Sequence, residues 1–208
     1  MLSLATVAWA PSPAPGRTVL PDSLTAWMRR GVSLGLAEHR ARTIRDVRYD
    51  LALDVSALDR ATGRVSVRFV RTGHDDVILD FRGRRLAGAR ANGVDFALDT
   101  GVANGAHIRI PDRVLRDGAN TLEFTFVADI APSGASIIRF HDRADNSDYL
   151  YTLLVPADAN QLFPCFDQPD LKARVTLTLT TPGGWTALAN GAVAAAETTS
   201  VTITWRFA

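Results

Sequence analysis

The chain has 208 residues, 47% of them hydrophobic and 22% charged, which is enough to bury a core without disulfides or metal ions. Its 23 basic and 22 acidic residues give a formal net charge of +1, which excludes a basic surface for nucleic acid or for an anionic membrane. The single cysteine, Cys165, excludes an internal disulfide and a thiolate zinc cluster. No apolar run of about 18 residues occurs, so we predict no membrane span.

Residues 1–20 differ in composition from the rest of the chain. The stretch "MLSLATVAWA" is similar to the apolar part of a secretory signal but lacks a basic start, and "PSPAPG" is typical of a stiff, extended linker. We predict a leader or linker here, either the remnant of an export signal or a disordered apolar tail. An export signal would make the protein periplasmic or secreted, and its absence would make it cytoplasmic.

Residues 21–44 are predicted to form a helical lead-in. Asp22 or Ser23 can cap a first helical turn and Ser33 can cap a second, because their side-chain oxygens accept from free backbone N–H groups. Gly31 and Gly35 favour a broken helix over one long rod.

From residue 45 to residue 208 the hydrophobic period becomes two, as in strands with one buried face. Glycine-rich turns such as "ATG", "DTG" and "TPGG" separate the strands. We therefore predict an all-β, mainly antiparallel domain with a short N-terminal helical segment, either a β-sandwich or a curved, saddle-like pair of sheets. The predicted strands contain Val47 to Val55, Val65 to Phe69, "VILDF", "HIRIP", Leu122 to Ile130, Val175 to Leu179 and Val201 to Trp205.

The sequence shows no self-sufficient catalytic or metal-binding motif: H-E-x-x-H, C-x-x-C, G-x-S-x-G and a Gly-rich phosphate loop are all missing. We predict solvated side chains for His39, His74 and His107. His141 begins the acidic stretch "HDRADNSD", but the glycine and the closing glutamate of a calcium loop are lacking, so an ordinary polar loop is favoured.

Aromatic residues leave a carbohydrate-binding β-sandwich module open as an alternative. Tyr149, Tyr151, Trp185 and Trp205 could form a platform that stacks on sugars. Aromatic side chains at alternating strand positions more often belong to the core, which favours the structural interpretation.

One segment, "YLYTLLVPADANQLFPCFDQPDLKA" from Tyr149 to Ala173, closely resembles part of the N-terminal domain of zinc aminopeptidases of the aminopeptidase N type. In that family a Y-L-Y-[ST]-Q-x-[QE]-x-x-x-x-R stretch leads into F-P-C-x-D-x-P-x-x-K-A. The segments "GVSLGLAEHRARTIRDVRYDLALDV" and "LRDGANTLEFTFVA" also resemble exported bacterial members. The matching positions, in register and without a gap, are Tyr149, Leu150, Tyr151, Thr152, Phe163, Pro164, Cys165, Asp167, Pro169, Lys172 and Ala173.

The resemblance implies a non-catalytic, saddle-shaped, mainly antiparallel β-sandwich-like domain that packs on a thermolysin-like catalytic domain and borders its substrate cleft. In the family that second domain carries G-x-M-E-N and H-E-x-x-H and binds one zinc ion, and the substrates are peptide N-termini. None of those elements lies in these 208 residues, which end in the strand-like "VTITWRFA". We therefore expect a piece of a longer zinc aminopeptidase-like protein, with no cofactor and no activity of its own.

The resemblance also implies one substrate-binding position. The family's Gln or Glu that bonds the substrate α-ammonium falls on Val155, its neighbouring Gln on Leu153 and its Arg on Asn160. Val155 has no hydrogen-bond acceptor in its side chain, so either catalytic-domain carboxylates anchor the amine alone or the activity is altered or lost. In the latter case the chain would be a scaffold or recognition domain. Structural roles are expected for the matching residues of the second half. Phe163 and Cys165 should pack beneath the loop, Asp167 should accept hydrogen bonds from nearby backbone N–H groups, and Pro164 and Pro169 should fix turn dihedrals.

Overall fold

The computed structural model describes residues 22–208, so the leader or linker predicted for residues 1–20 lies outside the described part. Two short helices come first, α1 (Asp22–Trp27) and α2 (Leu34–Thr43). The Ser33 side chain accepts a 3.3 Å hydrogen bond from the Leu36 backbone N–H at the start of α2, so the predicted cap is confirmed.

Strands make up most of the remaining described residues, with a short 3-10 helix at Asp112–Val114 and a short helix α3 at Ala159–Leu162. The strands are β1 (Ile44–Asp54), β2 (Arg60–Arg71), β3 (Val77–Asp80), β4 (Arg85–Ala91), β5 (Val94–Asp95), β6 (His107–Ile110), β7 (Gly118–Ala131), β8 (Ile137–Asp142), β9 (Ser147–Thr152), β10 (Ala173–Pro182), β11 (Val193–Thr198) and β12 (Thr202–Phe207).

A ten-stranded sheet contains the order β11-β12-β10-β1-β2-β7-β4-β5, and the hairpin of β8 and β9 joins it through β7. Strands β3 and β6 form a separate two-stranded sheet. In the described part, β1 with β10 and β7 with β8 pair in parallel, and the other pairs are antiparallel. The predicted all-β, mainly antiparallel fold is confirmed.

The core lies on the inner face of the large sheet, where the predicted alternation is confirmed for β1, β2 and β7. It is wrong for β10 and β12, whose predicted inward apolar positions are exposed or half-buried because that end of the sheet has no layer packed over it in the described residues. In β1 the side chains of Val47, Tyr49, Leu51 and Leu53 are buried while the intervening ones reach solvent or are half-buried. Opposing β2 and β7 supply further buried apolar residues, so the two-residue period shows which face of these three strands packs inward. Apolar burial of this kind is the main stabilising term of the domain.

Gly63 of β2 lies where the core has no room for a side chain. A Cβ there would overlap the Phe126 ring, with Cε2 at 2.6 Å, and would lie 3.0 Å from Leu53 Cδ2. Phe126 is buried and has little space to move, so we expect Gly63→Ala to lower the free energy of unfolding by about 1–3 kcal/mol. Urea unfolding measures this. Thr62→Ala, at the exposed neighbouring position, is the control, and equal stability of the two variants would contradict the prediction.

Candidate functional site

Exposed apolar side chains follow β9 and the segment after it at every second position. Tyr149 and Tyr151 share one face of β9 and are 47% and 52% exposed. Leu153 and Val155 continue the same spacing and are 55% and 77% exposed. We call these four residues the apolar stripe. Phe140, opposite Tyr149 in β8, is also exposed, which makes this hairpin an unusually apolar surface.

Asn160 points inward rather than toward the apolar stripe. Its side-chain Nδ2 donates to Asp167 Oδ2 at 2.6 Å and to the Ala157 carbonyl at 3.1 Å, and its backbone N–H donates to the same Asp167 oxygen at 3.0 Å. Burial raises the pKa of Asp167 above its ordinary value, although the two bonds from Asn160 oppose that shift. The predicted bonding of Asp167 to a nearby backbone N–H is confirmed.

Arg82, which follows β3, holds the same turn from the other side. Its Nε donates to Asn160 Oδ1 at 2.6 Å, and its Nη2 donates to Asp158 Oδ1 at 2.6 Å. The Arg82 backbone N–H also donates to the Asn160 carbonyl at 2.7 Å. These hydrogen bonds fix the turn after Val155 to the rest of the domain, and we call Arg82, Asp158, Asn160 and Asp167 the base of the apolar stripe. The role of Arg82 could not be predicted from the sequence, because its partners lie more than seventy residues away in the chain.

A buried ion pair joins α2 to β3. Arg40 donates two hydrogen bonds to the Asp80 carboxylate, at 2.9 and 2.8 Å, and each of the two side chains is only 2% exposed. The Asp167 backbone N–H donates to Asp80 Oδ2 at 2.9 Å, and the backbones of Asp80 and Cys165 exchange two hydrogen bonds. Burial opposes ionisation of Asp80, but the bonds from His107 and Arg40 outweigh it and lower its pKa.

The prediction of solvated histidines is wrong for two of the three positions. His107 is buried between Asp80 and the Arg29 carbonyl, whose oxygen lies 2.6 Å from Nε2. His39 lies against Trp27, with ring centroids 4.4 Å apart, and burial lowers its pKa. His74 is 79% exposed, as predicted. The hydrophobic periodicity of the sequence does not predict these contacts, because the partners of each histidine lie on other helices, strands or loops.

Cys165 and Phe163 pack beneath the loop, as expected. Both are buried, and the Phe163 ring contacts Tyr49 edge to face at a centroid distance of 5.5 Å. Burial raises the pKa of the Cys165 thiol well above its ordinary value, which suppresses the reactive thiolate. The Tyr49 hydroxyl accepts a 2.9 Å hydrogen bond from the Phe166 backbone N–H and so anchors this loop to β1.

A cleft of about 510 Å³ separates the residues before α2 from the loop that follows Phe166. Gly31 and Val32 line one side, and Pro156 and Ala157, next to the apolar stripe, line another. Residues 22–208 contain no group of three or more His, Cys, Asp or Glu side chains that could hold a metal ion. A zinc ion therefore has no fitting ligand set in the described part, and we assign no metal chemistry to it.

Known proteins share the sequence pattern and the fold of this domain. A sequence model of the Peptidase M1 N-terminal domain matches residues 46–208. The chain belongs to the M1 peptidase family. The M1 domain is 33% identical over 159 residues to aminopeptidase N of Streptomyces lividans, covering 74% of this chain and 18% of that protein. It is 31% identical over 157 residues to aminopeptidase N of Acetobacter pasteurianus, covering 72% of this chain and 44% of the relative.

Solved structures show the same fold for this M1 domain. The M1 zinc metallopeptidase of Deinococcus radiodurans superposes with a TM-score of 0.63 at 20% identity, covering 80% of this chain and 39% of that one. The chain thus spans less than half the length of these relatives, in the N-terminal part of the family's architecture. Among residues 22–208, none of the helices is of a length and apolarity that would cross a bilayer.

Proposed function

We propose that this M1 N-terminal domain packs on a catalytic domain of the same protein through the apolar stripe, and that it borders the substrate cleft there. The observation that carries the proposal is the run of four exposed apolar side chains from Tyr149 to Val155. Exposed apolar patches on soluble domains mark interaction sites, because leaving such surface in water is unfavourable.

The base beneath the apolar stripe supports this role. Arg82 and Asp167 bind the turn that follows Val155 with short hydrogen bonds, so the residues directly after the stripe are tied to the rest of the domain. A surface that is already ordered loses less conformational entropy when it binds, which favours association. The buried Phe163 and Cys165 then connect this base to the core of the sheet.

The parent protein is proposed to be a zinc aminopeptidase that acts on peptide N-termini. Relatives named aminopeptidase N and zinc metallopeptidase support the proposal. The zinc ion would lie in the catalytic domain, since residues 22–208 offer no ligand set for it. There it would supply an activated water. In this chain, Leu153 and Val155 would line one side of the substrate cleft and exclude water from it.

Hydrogen exchange tests the docking proposal. We expect amides of residues 149–155 to exchange about tenfold or more slowly in a longer protein that includes the catalytic domain than in this chain alone, because docking excludes water. Leu153→Asp should abolish this difference, since it places a charge in an apolar contact. Val94→Asp is the control, because Val94 is 66% exposed but lies on β5, outside the apolar stripe. Equal exchange in both proteins would refute the proposal.

A second candidate is a scaffold or recognition domain in a homologue with altered or lost peptidase activity. Val155 favours it, because its fully apolar side chain is 77% exposed where the family resemblance places an amine acceptor. The full-length protein, loaded with zinc, would be assayed on aminoacyl arylamides. Absence of turnover with zinc bound would support this candidate, and fast turnover would rule it out.

A further inference from the structure

The side chain of His107 faces hydrogen-bond acceptors at both ring nitrogens. Nδ1 lies 2.8 Å from Asp80 Oδ1, and Nε2 lies 2.6 Å from the Arg29 carbonyl oxygen and 3.2 Å from that of Gly31. A neutral imidazole has one N–H donor and one lone pair, so either neutral tautomer would point a lone pair at an acceptor oxygen. The imidazolium ion donates from both nitrogens and satisfies every contact.

Asp80 cannot relieve this arrangement by taking up a proton. Arg40 binds both of its carboxylate oxygens, and the Asp167 backbone N–H donates to one of them. These donors all favour the ionised carboxylate, so the acceptor at Nδ1 stays negative. The proton shared at this site therefore resides on His107.

We propose that protonated His107 is a pH-sensitive latch for the residues between α1 and α2. Its Nε2–H donates to the carbonyls of Arg29 and Gly31 and so connects them to β6, where His107 lies. Its Nδ1–H donates to Asp80 and so extends the connection to β3. When Nε2 loses its proton, Nδ1–H still donates to Asp80. The Nε2 lone pair then faces the two carbonyl oxygens and repels them. The residues before α2 are then released from the sheet.

The charged groups around His107 come from each neighbouring element. Asp80 on β3 is the attractive partner, Arg40 on α2 repels the imidazolium, and Arg29 and Gly31 contribute backbone carbonyls from the α1 to α2 connection. Asp167 in the loop after Phe163 acts through its backbone N–H, which donates to Asp80 Oδ2 at 2.9 Å. Burial disfavours the charged ring, but the bonds to Asp80 and the Arg29 carbonyl outweigh it and raise the pKa of His107.

The direction of the pH effect follows from this raised pKa. A histidine whose folded pKa exceeds its unfolded value of about 6.5 stabilises its contacts fully below that value. The stabilisation is lost as pH rises through the folded pKa. The latch is therefore closed in mildly acidic solution and opens toward alkaline pH.

Release would change the cleft beside the apolar stripe. Arg30, Gly31 and Val32, which belong to the latched connection, line that cleft together with Pro156 and Ala157. A second anchor, the 2.7 Å bond from Asn104 Nδ2 to the Met28 carbonyl, does not titrate and keeps α1 near the sheet. Alkaline pH should thus loosen one wall of the cleft without unfolding the domain.

Two measurements on the full chain test the latch. NMR titration of the His107 ring should give a midpoint above about 6.5, and a midpoint below that value would overturn the proposal. Hydrogen exchange at the Met28 and Arg29 amides, which close the end of α1, should lose about tenfold or more of its protection from about pH 6 to about pH 9, after correction for the intrinsic rate.

Matched histidine variants separate the latch from general pH effects. His107→Gln should show low protection at both pH values, and His74→Gln, altered at an exposed histidine, should behave as the unaltered chain. An unaltered chain whose protection does not change with pH would overturn the proposal. So would a His107→Gln variant that keeps the full pH dependence. If His107→Gln does not fold, the ring titration of the unaltered chain still decides.

Discussion

Replacing Asp80 with alanine should lower the free energy of unfolding by about 3–5 kcal/mol, the largest change expected for a single substitution in this domain. Asp80 receives two hydrogen bonds from Arg40 and one from the Asp167 backbone N–H, and it lies beside His107. Its removal leaves the buried Arg40 cation without its counterion, and a buried unpaired charge is strongly unfavourable. Urea unfolding at neutral pH measures the loss.

An exposed ion pair of the same chemistry is the control for Asp80. Asp50 and Arg68 form a 2.6 Å contact but are 44% and 51% exposed, so Asp50→Ala should cost less than about 1 kcal/mol. The prediction for Asp80 would be wrong if the two variants differed by less than about 1 kcal/mol.

The pH dependence gives an independent measure of the Asp80 contribution. Because its pKa is lowered in the folded state, the carboxylate stabilises the domain fully above the unfolded value of about 3.9. That stabilisation is lost as pH falls through the folded pKa. Acid unfolding of Asp80→Ala should therefore be less steep below about pH 4 than that of the unaltered chain.

Restoring an amide at position 155 is expected to have the largest effect on substrate binding, if the parent protein is an active zinc aminopeptidase. Val155→Gln should lower KM for substrates with a free α-amine about ten- to a hundredfold, because a hydrogen bond to a charged group contributes about 1.5–3 kcal/mol. Val155 is 77% exposed at the end of the apolar stripe, so a longer polar side chain can be accommodated there. Steady-state kinetics of the full-length enzyme measures the change.

Substrate pairs and a neighbouring variant make this test specific. The gain should vanish for N-acetylated substrates, which carry no ammonium group. Thr152→Gln adds the same amide at an exposed position that is out of step with the alternation of the apolar stripe, and it should leave KM unchanged. An unchanged ratio of free-amine to acetylated turnover in Val155→Gln would show that residue 155 does not face the substrate amine.

The site illustrates how far sequence analysis reaches in this protein. The Tyr149 to Ala173 segment indicated the family, and the structure confirmed the buried packing of Phe163 and Cys165. The support beneath that segment was not predictable, because Arg82 binds partners 76 and 78 residues away. A hydrogen bond between distant residues leaves no periodic pattern in one sequence.

The strands, too, were predictable only in part from the sequence. Strands with one buried face, such as β1 and β2, were predicted because their apolar residues alternate with polar ones. Strands β4, β9 and β11 were not, because their sequences "RLAGARA", "SDYLYT" and "VAAAET" show no sustained alternation of large apolar and polar residues. Their pairing in the sheet depends on backbone bonds to neighbours, which side-chain patterns do not encode.

The sequence by itself determined the fold class, the cap of α2, the family and the absence of acceptor chemistry in the Val155 side chain, because each follows from local residue type and spacing. The tertiary structure alone decided which charges are buried. It brings Arg40 and His107, which lie 40 and 27 residues from Asp80 in the chain, onto one carboxylate. Burial of a charged group is set by partners from other elements, so a histidine predicted to be solvated lies buried against the Asp80 carboxylate.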